Sequence, residues 1–203
     1  MKDKKLLSDI KEYLKCYENQ VLEDWYELIR HISVSETGEG IETCCDWIQK
    51  KMEEIGIQVT KYSVKPAPVL VGRFGNDPEK KTVLIYAHYD VKPAGERKLW
   101  HSDPFVPTVR DGKVYARGSA DNKSPLMAHL KALEYFIRRK MEVPVNVIFV
   151  FEGDEECGSR GLEEFLAEHR TELAADLVFF SDGPKDPSGL PIIALGAKGD
   201  LSI

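Results

Sequence analysis

No run of apolar residues in the chain approaches the roughly 20 needed to cross a bilayer as a helix. The opening stretch, MKDKKLLSDIKEYLK, is amphipathic and charged and has no apolar core of the kind a secretory signal carries. A cytoplasmic protein with no membrane partner is therefore expected. Cysteine is scarce: Cys16, Cys44, Cys45 and Cys157 form no CxxC pair, and two of the four are adjacent. This excludes a disulfide framework and a structural zinc knuckle and predicts buried thiols. An excess of basic charge is also lacking, since 28 Lys and Arg stand against 34 Asp and Glu, for a net charge of -6. That argues against a general nucleic-acid binder. There is no internal repeat or low-complexity tract. With 42% hydrophobic residues the 203-residue chain has an ordinary globular composition, enough for one good-sized domain.

Hydrophobic spacing gives the elements. Val21, Leu22, Trp25, Leu28 and Ile29 recur at helical intervals, and Ile41, Cys44, Cys45, Ile48, Met52 and Ile55 do so again before Gly56. Strand-like segments follow at Ile57 to Tyr62, at PAPVLVGRF and at TVLIYA, the last short and continuous as in a strand covered on both faces. The stretch from His88 to Asp111 carries Pro93, Gly95, Pro104 and Pro107 and reads as an irregular loop, ending in a turn before a short strand at Lys113 to Ala116. Pro125 fits the first turn of a helix that Leu126, Leu130, Leu133 and Ile137 continue. VNVIFVF predicts a second central strand, Leu162 to Leu166 a helix, LVFF at 177–180 a third central strand and PIIAL at 191–195 a further buried one. Strands alternating with helices indicate an α/β fold, a central, largely parallel sheet flanked by helices.

In such sheets the ligand lies beyond the carboxyl ends of the strands. TVLIYA runs into His88, Tyr89 and Asp90; the strand at 113–116 leads to Asp121, Asn122 and Lys123; VNVIFVF runs into Glu152, Gly153, Asp154, Glu155 and Glu156; LVFF runs into Ser181 and Asp182. Acids gathered at one edge of an apolar sheet repel one another unless a cation neutralises them. One imidazole among several carboxylates suits Zn, Mn or Co, and the surplus of acids suggests two ions sharing a ligand. Asp90, two residues after His88, falls on the same side of an extended chain and can hold the imidazole by its other nitrogen. Within the acidic run the spacing leaves the roles open, because alternation along an extended chain would group Glu152, Asp154 and Glu156. His31, His101, His129 and His169 lack this context and read as surface or packing residues, as do Trp100 and Phe105.

The set HYDVKPAG, LWHSDPFVP, DGKVYARGSADNKS, EGDEECGS and SDGP resembles metallopeptidase family twenty, the dinuclear zinc exopeptidases and deacylases, and its dipeptidase and carnosinase branch most of all. The matching positions run from His88 to Gly183 in the family's order. The resemblance implies His88, Asp121 and Asp182 on one metal ion, with Asp121 bridging to a second ion that Glu156 also binds. It implies Glu155 as general base, Asp90 as the residue behind His88, and a cis peptide bond between Asp121 and Asn122. The implied activity is metal-dependent hydrolysis of dipeptides or short peptides; N-acyl amino acids are the alternative substrate class. Ser124 and Cys157 depart from the family's usual residues.

Family members are about twice as long, so residues 1–190 are expected to form the amino-terminal part of the catalytic domain and 191–203 the start of a lid or dimerisation domain. The last histidine ligand of the second ion and a homodimer contact would then lie in the remainder. An inactive fragment, or a metal-binding piece that pairs with a separate carboxyl-terminal half, is the competing expectation.

Overall fold

Helix-favouring residues with apolar positions on one side carry the start of the chain much further than Val21 to Ile29. In this computed structural model, which describes residues 2–183 together with Asp186, Ser188 and Ile192, α1 is a single helix from Lys2 to Arg30. Its inward residues include Tyr13, Leu28 and Ile29. The strand expected at 191–195 and the second unit expected at 191–203 lie outside the described residues, apart from Ile192.

The second helix, α2 (Ile41–Glu54), buries Ile41, Cys44, Cys45, Ile48 and Met52 along one stripe. Cys44 and Cys45 are the buried thiols expected; Cys16, by contrast, is exposed on α1 and Cys157 is half-buried, and all four are free.

Among the described residues seven strands follow: β1 (Gln58–Tyr62), β2 (Val69–Phe74), β3 (Thr82–His88), β4 (Thr108–Arg110), β5 (Lys113–Tyr115), β6 (Asn146–Glu152) and β7 (Leu177–Phe180). Helix α3 (Lys123–Arg138) lies between β5 and β6, and the short α4 (Leu162–Glu168) between β6 and β7. The main sheet has the order β1-β2-β6-β3-β7. Its β6-β3-β7 portion is parallel, and β1 and β2 extend it as an antiparallel arm. The segment expected to be irregular throughout contains β4, which pairs with β5 in a separate hairpin across the predicted turn.

Alternation along the strands builds two cores. Leu70, Phe149, Phe151 and Ala87 face α2 and α3, whereas Val71, Ile148, Val150 and Tyr86 face Phe165 of α4 and Leu173. Strands β3 and β6 are covered on both faces, as their unbroken apolar sequences predict. LVFF is different. It forms a strand, but among the described residues it lies at the edge of the sheet and not in its centre, and Leu177, Val178, Phe179 and Phe180 are 47 to 61% exposed. The sequence specifies an apolar strand; among the described residues too little packs on β7 to bury it.

Because β3, β6 and β7 run in one direction, His88, Glu152 and the residues after Phe180 all emerge at one edge. The backbone there is closely packed. Gly118 has a φ of 77°, and a Cβ on it would sit 2.5 Å from Val91 Cγ1. At Gly153 a Cβ would lie 2.5 Å from the Tyr89 hydroxyl oxygen. None of the described helices is long and apolar enough to cross a membrane.

Candidate metal centre

Strand β3 delivers His88 into the interior, with a side chain that is fully buried. Its Nδ1 lies 3.1 Å from the backbone oxygen of Asp90 and 3.3 Å from Asp90 Oδ1. With Nδ1 engaged in this way, Nε2 points at the strand-end edge, where Asp121 Oδ1 is 3.1 Å away and Asp182 Oδ2 is 3.2 Å away. Glu155 Oε2 is 3.7 Å from the same nitrogen. Ligand atoms of His88, Asp121 and Asp182 all lie within 4.8 Å of one another. Asp121 comes from the turn before α3 and Asp182 from the end of β7, so three separate segments meet at this point. The Asp121–Asn122 peptide bond is cis, as the resemblance implies.

The electrostatics follow from that crowding. Burial alone would depress the basicity of His88, but the Asp90 hydrogen bond and the charges of Asp90, Glu155 and Asp182 outweigh it and lift the imidazole pKa to about 9. The carboxylates that draw a proton to Nε2 would equally draw a metal ion. Asp90 is itself fully buried; desolvation favours its neutral form, yet hydrogen bonds from His88, Ser35 and the backbone of Glu156 hold its pKa below the usual carboxylate range. Glu155 has the opposite balance: burial pushes its pKa up, and the charges of Glu156, Asp182 and Asp90 add to the effect against the attraction of His88. A carboxyl of raised pKa facing a histidine and two aspartates is suited to accept and release a proton.

The acidic run after β6 separates into distinct roles. Glu152 Oε1 accepts hydrogen bonds from the Tyr86 hydroxyl at 2.5 Å and the Ser159 hydroxyl at 2.8 Å. Asp154 takes a paired contact from Arg160, at 2.9 and 2.7 Å, together with the Arg160 backbone N–H. Both acids are used up in holding the segment. The strand stops at Glu152, and residues 155–157 form a 3-10 turn, so simple alternation no longer applies. The two oxygens of Asp90 accept the backbone N–H groups of Glu155 at 3.1 Å and Glu156 at 3.0 Å, which fixes the turn against the β3 exit. Glu155 then faces His88, and Glu156 meets Lys92, whose Nζ is 3.0 Å from Glu156 Oε2. Glu156 is thus outside the His88–Asp121–Asp182 group.

Three supporting residues were not singled out from sequence. Lys92 is one. Lys123 is fully buried and donates from Nζ to the carbonyls of Leu28 at 3.1 Å and His31 at 2.5 Å, tying the end of α1 to the start of α3; burial pulls its pKa down. His129, expected to be a surface or packing residue, hydrogen-bonds through Nε2 to the hydroxyl of Ser181 at 2.6 Å, next to Asp182. Helical and strand periodicity carry no trace of such pairings, because the partners lie tens of positions apart. His31 packs on Trp47, and His169 on Tyr62 and Phe165, as packing residues. Trp100 donates to the carbonyl of Ala94 within the long loop.

The donor set fits a divalent ion. One imidazole nitrogen with a fixed partner behind it and two carboxylates from different segments is the chemistry of Zn, Mn or Co sites, and no thiolate lies in the group.

Comparisons with known proteins identify the family. The model of peptidase family M20/M25/M40 matches residues 84–195, just over half of the chain. The Cys-Gly metallodipeptidase dug1 of Schizosaccharomyces pombe is 41% identical over 155 residues, which is 73% of this chain and 33% of the relative. The human Beta-Ala-His dipeptidase is 38% identical over 135 residues, 66% of this chain and 27% of that protein. Among solved structures, human carnosine dipeptidase 1 superimposes with a TM-score of 0.81 at 29% identity, covering 88% of this chain and 41% of the other. The M20 family metallo-carboxypeptidase Sso-CP2 from Sulfolobus solfataricus gives 0.79 at 36% identity, covering 83% and 38%. The chain spans about a third of the length of these curated relatives. With the family's model matching more than half of its length, the chain belongs to peptidase family M20/M25/M40.

Proposed function

We propose that the strand-end site is the metal-binding half of a dipeptidase centre and that the whole protein hydrolyses dipeptides or short peptides. The observation that carries this reading is the buried His88 ring, held by Asp90 at one nitrogen and facing Asp121 and Asp182 with the other. The substrate class follows the relatives, whose names specify Cys-Gly and β-Ala-His.

His88, Asp121 and Asp182 would hold one ion, and Asp121 with Glu156 would contribute to a second. Zinc is the metal that the donor set suits best, with Mn or Co acceptable. A bound ion of this kind supplies a Lewis acid that polarises an amide carbonyl and makes water ionisable near neutral pH. Glu155, with its raised pKa and its position 3.7 Å from His88, takes a proton from water as the water oxygen adds to the amide carbon. When the carbon–nitrogen bond breaks, the same carboxyl returns that proton to the leaving amine. Asp90 orients His88 and, through the two backbone N–H groups it accepts, sets the position of Glu155.

The test is substitution of the residue corresponding to Glu155 by Gln in a full-length relative. Metal content should stay nearly unchanged while turnover falls about 10²- to 10⁴-fold, because the amide keeps the shape and loses the basicity. Loss of metal with Gln, or retention of turnover, would show that Glu155 does not act as the base.

A further inference from the structure

Lys92 pairs with Glu156 and, among the described residues, forms no ion pair with Asp121 or Asp182. Its backbone is fixed from both sides: Val91 is fully buried, donates to the carbonyl of Ser33 at 2.8 Å and accepts from the N–H of Ser35, while the neighbouring Asp90 anchors the 155–157 turn. From this base the Lys92 ammonium reaches Glu156 twice, with 3.0 Å to Oε2 and a 2.9 Å hydrogen bond to the backbone oxygen. The Glu156 side chain is 12% exposed and that of Lys92 is 59% exposed, so the ammonium covers the solvent side of a largely buried carboxylate. Among the described residues no lysine or arginine lies within 4 Å of the carboxylates of Asp121 or Asp182.

We propose that Lys92 is a resident cation that competes with the second metal ion for Glu156, so that the two positions load in order. The first ion meets His88, Asp121 and Asp182 with no internal competitor; the second gains Glu156 only when the ammonium is displaced. The proposal rests on the reading of Glu156 as a ligand of the second ion. Its effect is electrostatic and local, and therefore moderate in size and weakened by salt.

The experiment is a calorimetric titration of the metal-stripped chain with Mn²⁺ and with Zn²⁺, comparing Lys92→Gln, Lys92→Arg and Glu156→Gln with the parent. Removing the charge with Lys92→Gln should tighten the weaker binding phase by about fivefold, the equivalent of an ion pair worth about 1 kcal/mol, and leave the tighter phase unchanged. Lys92→Arg should behave as the parent does. The tighter phase serves as the internal control for folding. If Lys92→Gln leaves the weaker phase unaltered or absent, or shifts both phases equally, the proposal is overturned. Glu156→Gln should weaken or remove the second phase. If it does not, the assignment of Glu156 as a ligand fails first, and the role of Lys92 fails with it.

Discussion

His129 illustrates how a residue with no apparent part in the chemistry can govern the site. It lies on α3, its Nε2 is 2.6 Å from the Ser181 hydroxyl, and the ring meets Phe179 edge-on at 5.5 Å. Burial pushes its pKa down to about 4, so near neutral pH it is an uncharged link between α3 and the segment bearing Asp182. As pH falls below the ordinary value of 6.5, the unfolded chain takes up a proton that the folded chain refuses. Stability is therefore lost from about pH 6.5 down to about pH 4, at a rate approaching about 1.4 kcal/mol per pH unit. His88 is shifted the other way, to about 9, so its contribution is complete below pH 6.5 and fades only as pH rises toward 9. Between pH 7 and 5 the melting temperature of the metal-free chain should accordingly fall more steeply than that of His129→Gln. Parallel curves for the two proteins would show that the His129 link does not behave in this way. The residue could not be recognised in the sequence, since nothing local joins position 129 to position 181. His88 and Asp182 were legible for the opposite reason: each follows directly on an apolar strand, and a parallel sheet brings such ends together. Within the acidic run the sequence left the choice open, because it rests on where β6 stops and on the partners Tyr86, Ser159 and Arg160 that engage Glu152 and Asp154.

Among the elements, β3 and β6 are the strands that sequence describes best, and β7 is the one whose place in the described sheet differs from the central position expected. A run such as LVFF says that both faces of a strand are apolar; it does not say what covers them. On one face Phe180 stacks on Tyr86 with ring centroids 4.3 Å apart, on the other Phe179 touches His129, and all four residues of the strand remain 47 to 61% exposed. Its outer edge pairs with no described strand. An exposed apolar edge strand is a template for association. The 203-residue chain should consequently self-associate at micromolar concentration in sedimentation velocity and bind a hydrophobic dye, and Leu177→Lys with Phe179→Lys should reduce both. A parent chain that remains a monomer and binds no dye would contradict this. The other differences are smaller and have simple causes. Helix α1 begins well before Val21 because its first half is rich in Lys and Leu, good helix formers whose apolar stripe is narrow. Strand β4 is only three residues long, too short for alternation to distinguish it from a loop.

At the scale of the molecule, function follows from topology. Parallel β6, β3 and β7 bring the buried histidine and two acid-bearing strand ends to one edge, and the turn into α3 adds Asp121 from a fourth direction. Two cores support this edge, one against α2 and α3 and one against α4, so side chains from distant positions are held together there by packed elements. We infer that this convergence is a metal site. It is tested most directly by crystals of the chain grown with zinc and measured on both sides of the zinc absorption edge. A strong anomalous peak is expected at about 2.0 to 2.2 Å from His88 Nε2 and from carboxylate oxygens of Asp121 and Asp182. No peak there, or a stronger one at the exposed Cys16 or beside His169 and Glu172, would contradict it.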